Sequence, residues 1–260
     1  MGVRSLLLKF ERTIQRWRDE QSHFLIVRAV YGIRSMFFSI MRTICFEQIV
    51  LQVKNAGPVG DLSDLFRIAS RGWYGIIAPI QARDEFLSLL RTISDPAPIG
   101  ILEIGTASGG TLFMFTRIAS ESAKIASVDL PGGSFGGGYP ESKTPLYDAF
   151  ALPGQQLKLF RADSHAVETF NQVKAYFGEQ PVDFIFIDGD HTYEGVRKDF
   201  EMYKPLIRNG GYIAFHDIVY AEGVSRFWLE IQKQYSTKWE FISENNPQYG
   251  IGILQINHDT

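Results

Sequence analysis

"FIFIDGDHTYEGVRKDF", residues 184–200, passes from four apolar residues straight into Asp188, Asp190 and His191, and then into a segment with apolar residues at helical spacing. An apolar run without polar alternation is the mark of a strand covered on both faces. In the helical part Tyr193, Val196, Phe200 and Tyr203 recur every three or four residues, the pattern of a helix with one packed and one solvated face. Asp190 is placed to cap that helix. The unit therefore reads as strand, polar rim, helix. In open α/β sheets ligands gather at that rim, beyond the carboxyl ends of the strands.

The same unit recurs on both sides. From residue 100 onward "GILEIG", "KIASVDL", "LKLFRAD", "VDFIFID" and "GGYIAFHD" alternate with helical stretches at 109–120, 165–178, 192–207 and 221–235. Strands alternating with helices predict a doubly wound, mostly parallel α/β sheet. The closing runs "KWEFIS" and "YGIGILQI" are separated by only "ENNPQ". A link of hairpin length makes the last strand antiparallel. Upstream, the breaks "KNAGPVGD" (54–61) and "SDPAPIG" (94–100) bracket "ARDEFLSLLRTI". Residues 1–60 are read as a helical, basic, amphipathic N-terminal extension and 61–260 as the main domain, with a helical lead-in at 61–98 and the core sheet at 99–260.

Composition fits a globular chain: of 260 residues 45% are hydrophobic and 21% charged. A single cysteine, Cys45, leaves no internal disulfide framework and suits a reducing compartment, so a cytoplasmic location is expected. The charge is uneven. Residues 1–45 hold eight Lys/Arg against three acids, so with −3 overall the remaining residues carry −8. In the arm Leu7, Phe10, Ile14 and Trp17 follow helical spacing with Arg12, Arg16 and Arg18 between them. Such a helix packs on the main domain or on a second subunit, or lies on an anionic membrane surface at the inner face. A homo-oligomer is expected. Arg28, Arg34 and Arg42 interrupt the apolar stretch 24–53, which argues against a membrane span. The acidic body argues against nucleic acid.

Five strand ends carry the candidate chemistry. "LEIGTASGGT", 102–111, turns from a strand bearing Glu103 through Gly105, Thr106, Ser108 and Gly109 into a helix. Glycines permit a tight turn and let a ligand approach bare backbone at a helix N-terminus, although a purely structural turn would look the same. The G-x-x-x-G-G spacing differs from the dinucleotide fingerprint, which disfavours a nicotinamide-dependent oxidoreductase. Asp129 in "SVDLPGG" could accept hydrogen bonds from ribose hydroxyls, or be a solvated strand-end acid. Asp163 and Ser164 in "FRADSH" could read the exocyclic amine of adenine, with helix capping the alternative for Ser164. Asp188 and Asp217 end consecutive strands. Paired carboxylates need a shared proton, a positive partner or a cation; Asp188, His216 and Asp217 could ligate a divalent metal. His191 can reach the same space, or be a capping or surface residue. The glycine-rich "PGGSFGGGYP", 131–140, reads as a mobile lid over the site or as a flexible connection.

In this order "LEIGTASGG", the acid of "SVDLPGG", "ADSH", "FIDGDHTYEGVRKDF" and "GGYIAFHDI" resemble the class I S-adenosylmethionine-dependent methyltransferases, over roughly residues 100–256. More narrowly they resemble the branch of metal-assisted sugar O-methyltransferases and cephalosporin-hydroxylase-like proteins. The resemblance implies a Rossmann-like, seven-stranded methyltransferase fold. It implies S-adenosylmethionine as cofactor, held by Glu103, Gly105, Thr106, Ser108, Gly109, Asp129, Asp163, Ser164 and Asp188. It implies His191 as general base with Asp188, and Asp188 and Asp217 as ligands of Mg2+ or another divalent metal, to which the residue reading adds His216. The sequence departs from that branch at His216, where a second acid is usual. The expected acceptor is the hydroxyl of a sugar, glycoside or polyol-like small molecule or glycan. A phenol or catechol acceptor, or a non-catalytic partner protein with this fold, are the alternatives.

Overall fold

The apolar runs form β1 (Gly100–Ile104), β2 (Lys124–Asp129), β3 (Gln156–Arg161), β4 (Val182–Ile187), β5 (Ile207–His216), β6 (Lys238–Phe241) and β7 (Ile251–Ile256). They make one sheet of order β3-β2-β1-β4-β5-β7-β6. This computed structural model describes residues 46–58, 60–71, 82–132, 137–244 and 249–257. The chain divides into two compact units, Met1–Glu47 and Gln48–Thr260, and the fold described here is that of the second. The amphipathic arm expected at residues 7–17 and the middle of the glycine-rich loop, 133–136, lie outside the described residues.

β1 to β5 pair in parallel, while β7 runs antiparallel to both β5 and β6. The doubly wound sheet with an antiparallel C-terminal strand is thus as the sequence predicts. β1 lies between β2 and β4, so the direction of winding reverses there, and a crevice opens at the carboxyl ends of these strands.

Covering on both faces explains the continuous apolar runs. On one face of β4, Phe184 and Phe186 meet the rings of Phe115 and Phe86. Phe115 belongs to α3 (Gly110–Ile118) and Phe86 to α2 (Arg83–Ile93). On the other face Ile185 and Ile187 join a core with Val196, Phe200, Phe215, Phe227 and Trp228. These come from β5 and from α6 (Tyr193–Tyr203) and α7 (Glu222–Ile231). Further helices are α1 (Leu62–Arg71), α4 (Thr144–Asp148) and α5 (Val167–Phe177), and residues 46–55 are also helical. α1 starts where Asp61 Oδ1 accepts from the amides of Ser63 and Asp64 at 2.8 and 3.0 Å, satisfying two of the amides a helix start leaves open.

The terminal hairpin is shorter than its sequence suggests. β6 stops at Phe241, and two residues on the amide of Ser243 turns to α2. Buried Glu85 accepts from Ser243 N at 2.8 Å and from Gly250 N at 3.0 Å. One carboxylate therefore clamps both ends of the β6–β7 connection and fixes where β7 begins at the rim.

Candidate active site

The turn after β1 is shaped by backbone conformations that few side chains tolerate. Gly105 has φ +95° and packs so closely on the end of β4 that a Cβ would overlap the Asp188 carbonyl. Asp188 N donates to Ile104 O at 2.8 Å and Gly105 N to Val128 O at 2.9 Å, so the ends of β1, β2 and β4 are tied together. Gly109, with φ +76°, caps α3, and its missing side chain leaves room for the Tyr147 ring. Tyr147 in turn donates to Ala107 O at 2.8 Å.

Beneath this turn lies Glu103, fully buried. It accepts from Thr111 Oγ1 at 2.5 Å and from Ser127 Oγ at 2.7 Å, and Ser127 is also hydrogen-bonded to Thr106 Oγ1. Burial pushes its carboxyl up to about 8; the two hydroxyls act against that rise without reversing it, and the nearby acids Asp129 and Asp188 add to it. Through these hydroxyls Glu103 anchors the turn from below.

Asp129, at the end of β2, is committed to backbone. Oδ2 accepts from Thr106 N at 2.9 Å and Ala107 N at 2.7 Å, while Oδ1 accepts from Leu130 N at 2.7 Å and Gly138 N at 3.0 Å. A carboxylate offers about four such sites. Burial nonetheless leaves the carboxyl above its ordinary range despite these four donors. The first role of Asp129 is to join the glycine turn to the start and end of the glycine-rich loop.

A cavity of about 370 Å³ opens over these strand ends, within the roughly 300–1,000 Å³ usual for small-molecule sites. The turn after β1 contributes Gly105 and Ala107 to its wall, the end of β2 and the residue after it Asp129 and Leu130, the loop after β3 Asp163, Ser164 and His165, and the loop after β4 Asp188, Gly189 and Asp190. Five of the candidate ligand residues, Gly105, Asp129, Asp163, Ser164 and Asp188, thus share one wall. Glu103, Thr106, Ser108 and Gly109 are not among its lining residues and act through the turn. Asp163 Oδ1 accepts from His165 N at 2.8 Å, which orients that carboxylate at the cavity edge.

Asp188 also belongs to a charged cluster. Its Oδ1 lies 3.0 Å from His216 Nδ1 and 3.5 Å from His191 Nε2. Asp217 stands 3.5 Å from His191 Nδ1 and 3.3 Å from His216 Nδ1. Burial pushes the Asp188 carboxyl up, but the two imidazoles outweigh it and hold it at about 2. Asp188 raises His191 above its ordinary value against the effect of burial. His216 is also raised: burial pulls it down, and Asp188 and Asp217 more than reverse that. Burial keeps Asp217 above the usual carboxylate range, although both imidazoles favour its charged form. Asp217 sits at φ +60°, a left-handed conformation that costs a non-glycine residue about 1–2 kcal/mol and turns the chain at the rim.

The potential metal ligands differ from the sequence expectation. The ligand atoms that come within 4.8 Å of one another belong to Asp188, His191 and Asp217; His216 instead places Nδ1 on Asp188. Two acids and an imidazole suit a divalent cation. His191 faces the two carboxylates with different nitrogens, so an imidazolium can neutralise the pair as well.

Sequence reading passed over His165 and Asp199. Asp199, in the middle of α6, is fully buried. His165 Nε2 lies 3.2 Å from its Oδ1 and 3.2 Å from Gly195 O. The contact joins the loop after β3 to the helix after β4, two walls of the cavity. Asp199 raises His165 above its ordinary value of 6.5. A group raised on folding stabilises fully below its unfolded value, and that contribution is lost as pH rises through the folded value. The melting-temperature advantage of wild type over His165→Asn should therefore shrink as pH rises from about 6.5 through the raised value. Parallel curves would remove the ion pair.

Residues 102–218 match the family profile described as a methyltransferase domain. An uncharacterised protein of Sinorhizobium fredii is 28% identical over 165 residues, 60% of this chain and 17% of that protein. An uncharacterised protein of Acanthamoeba polyphaga mimivirus is 50% identical over 116 residues, 45% of this chain and 50% of that protein. The chain thus spans half or less of the length of these curated relatives. Among solved structures, an O-methyltransferase from Bacillus cereus in complex with SAH aligns with TM-score 0.50 and 17% identity, covering 80% of this chain and 97% of that one. The O-methyltransferase TomG from Streptomyces achromogenes, involved in tomaymycin synthesis and solved with SAM, aligns with TM-score 0.51 and 17% identity, covering 81% and 96%. These neighbours share the fold.

Proposed function

We propose that this chain, whose residues 102–218 match a methyltransferase domain, transfers a methyl group from S-adenosylmethionine to a hydroxyl oxygen of a sugar, glycoside or other polyol-like acceptor. One observation carries the reading: Asp188 borders the cavity at the β1–β4 crevice and also contacts both imidazoles of the cluster. A ligand in the cavity and a hydroxyl at His191 would then be neighbours across one carboxylate.

The cavity suits a nucleoside. Its wall offers bare backbone at Gly105 and an oriented carboxylate at Asp163. When bound, S-adenosylmethionine supplies a sulfonium methyl carbon open to in-line displacement by oxygen. The residues of the chain align the acceptor and accept its proton. Alignment alone supplies about 7–11 kcal/mol in favourable systems. His191, 3.5 Å from Asp188 and 3.5 Å from Asp217, takes the hydroxyl proton on a ring nitrogen from its neutral form. Asp188, ionised at neutral pH, stabilises the imidazolium that results. Asp217 holds the other side of the ring. A divalent cation, if bound, would be held by Asp188, His191 or Asp217 and would acidify the hydroxyl.

Calorimetry with S-adenosylmethionine, with magnesium and with EDTA, tests the cofactor and the cation separately. Binding in the micromolar range is expected in at least one condition, and no heat under any of them would defeat the reading. A phenol or catechol is the second acceptor reading, supported by the stack of Tyr249 on His216 at 5.8 Å.

A further inference from the structure

We propose that Tyr220 and Tyr249 form the platform on which the acceptor lies, and that they select a hydroxylated six-membered ring over an open-chain polyol. The proposal rests on the methyltransferase reading and assigns the acceptor side of the same site.

Tyr249 stacks on His216 with centroids 5.8 Å apart and planes at 24°, and Tyr220 leans on Tyr249 at 5.9 Å and 55°. His216 Nδ1 is 3.0 Å from Asp188. An unbroken series of groups therefore leads from the carboxylate at the cavity to the protein surface. Its outer members are not buried as core rings would be: Tyr220 is 70% exposed, and Val219 and Ile242 are each 41% exposed. They are contiguous, because Val219 N donates to Tyr249 O at 2.8 Å, and Val219 and Ile242 both pack against Gly250.

The patch is also held against the proposed base. Ala221 N donates to Asp217 O at 3.1 Å, closing the turn after β5. Gly223 packs on the backbone of His191 and Tyr193 so tightly that a Cβ would overlap it. The turn bearing Tyr220 is thereby fixed beside His191. Aromatic faces attract flat partners and polarised C–H groups. A pyranose C–H face and a phenol ring both offer such a surface, whereas a linear polyol does not. Both rings also carry the hydroxyl that the cluster requires.

The test uses the full chain with S-adenosylmethionine and three probes: methyl β-D-glucopyranoside, catechol and glucitol. Methyl transfer to a ring probe with glucitol at least tenfold poorer in kcat/KM is expected. Pyranoside turnover alone marks a sugar acceptor and catechol turnover alone a phenolic one. Tyr220→Ala should raise the ring probe's KM about 3- to 10-fold with kcat little changed and cofactor affinity intact, and Tyr220→Phe should restore it. If glucitol matches the rings, if no ring probe is methylated by cofactor-binding protein, or if Tyr220→Ala leaves KM unchanged, the platform is overturned. Absence of cofactor binding instead defeats the methyltransferase reading and the platform with it.

Discussion

His191→Ala protein is expected to bind S-adenosylmethionine with wild-type affinity and to transfer its methyl group about 10²–10⁴-fold more slowly, the usual contribution of a positioned base. The separation of the two effects follows from geometry. His191 is not among the residues lining the cavity, and its ring lies 3.5 Å from one oxygen of Asp188 and 3.5 Å from one of Asp217. Its removal leaves the glycine turn, Asp129 and Asp163 untouched. The imidazole that remains, His216, is buried beneath Tyr249 with Nδ1 on Asp188 and is poorly placed to take the hydroxyl proton. Asp188, held at about 2, is too weak a base to substitute. Calorimetry on the variant with single-turnover methyl transfer reads both quantities, and an unchanged transfer rate would show that His191 only bridges the acids.

A different loss is expected for Asp188→Asn. Asp188 serves both the cavity and the cluster, and His216 Nδ1 lies 3.0 Å from its Oδ1. The amide would leave two imidazoles facing each other with less negative charge between them. Both cofactor affinity and turnover should fall, which sets this variant apart from His191→Ala.

The strand ends were legible because parallel strands covered on both faces carry their signal locally. "VDFIFI" and "GILEI" have no polar interruption except acids that the fold then uses. The antiparallel last strand was legible from the short link before it. Pairings set by tertiary register left no local trace. Nothing in "ADSH" indicates that His165 will meet Asp199 from the following helix. Nothing in "ARDEF" indicates that Glu85 will clamp residues 243 and 250. The gathering of Asp188, His191 and Asp217 left no local trace for the same reason: the strand end turns at Asp217 and leaves the β5 imidazole under Tyr249.

Asp129 shows how a residue correctly placed from sequence can have a different first task. If it served only to hold ribose hydroxyls, Asp129→Asn would weaken cofactor binding and leave the unliganded protein as stable as wild type. The hydrogen bonds predict otherwise. Two backbone amides donate to each carboxylate oxygen. An asparagine keeps one acceptor oxygen and replaces the other by an NH2 group, so at least two amides would face a donor. Each buried donor left unpaired costs about 1–3 kcal/mol. The loss should be about 2–6 kcal/mol, and at roughly 2–4 °C per kcal/mol for a chain of this size the melting temperature should fall by about 4–24 °C. Cofactor affinity should fall with it, because the turn that presents Gly105 and Ala107 to the cavity is held by these same bonds. Thermal denaturation of the unliganded variant decides the matter: an unchanged melting temperature would return Asp129 to the role of a ligand alone.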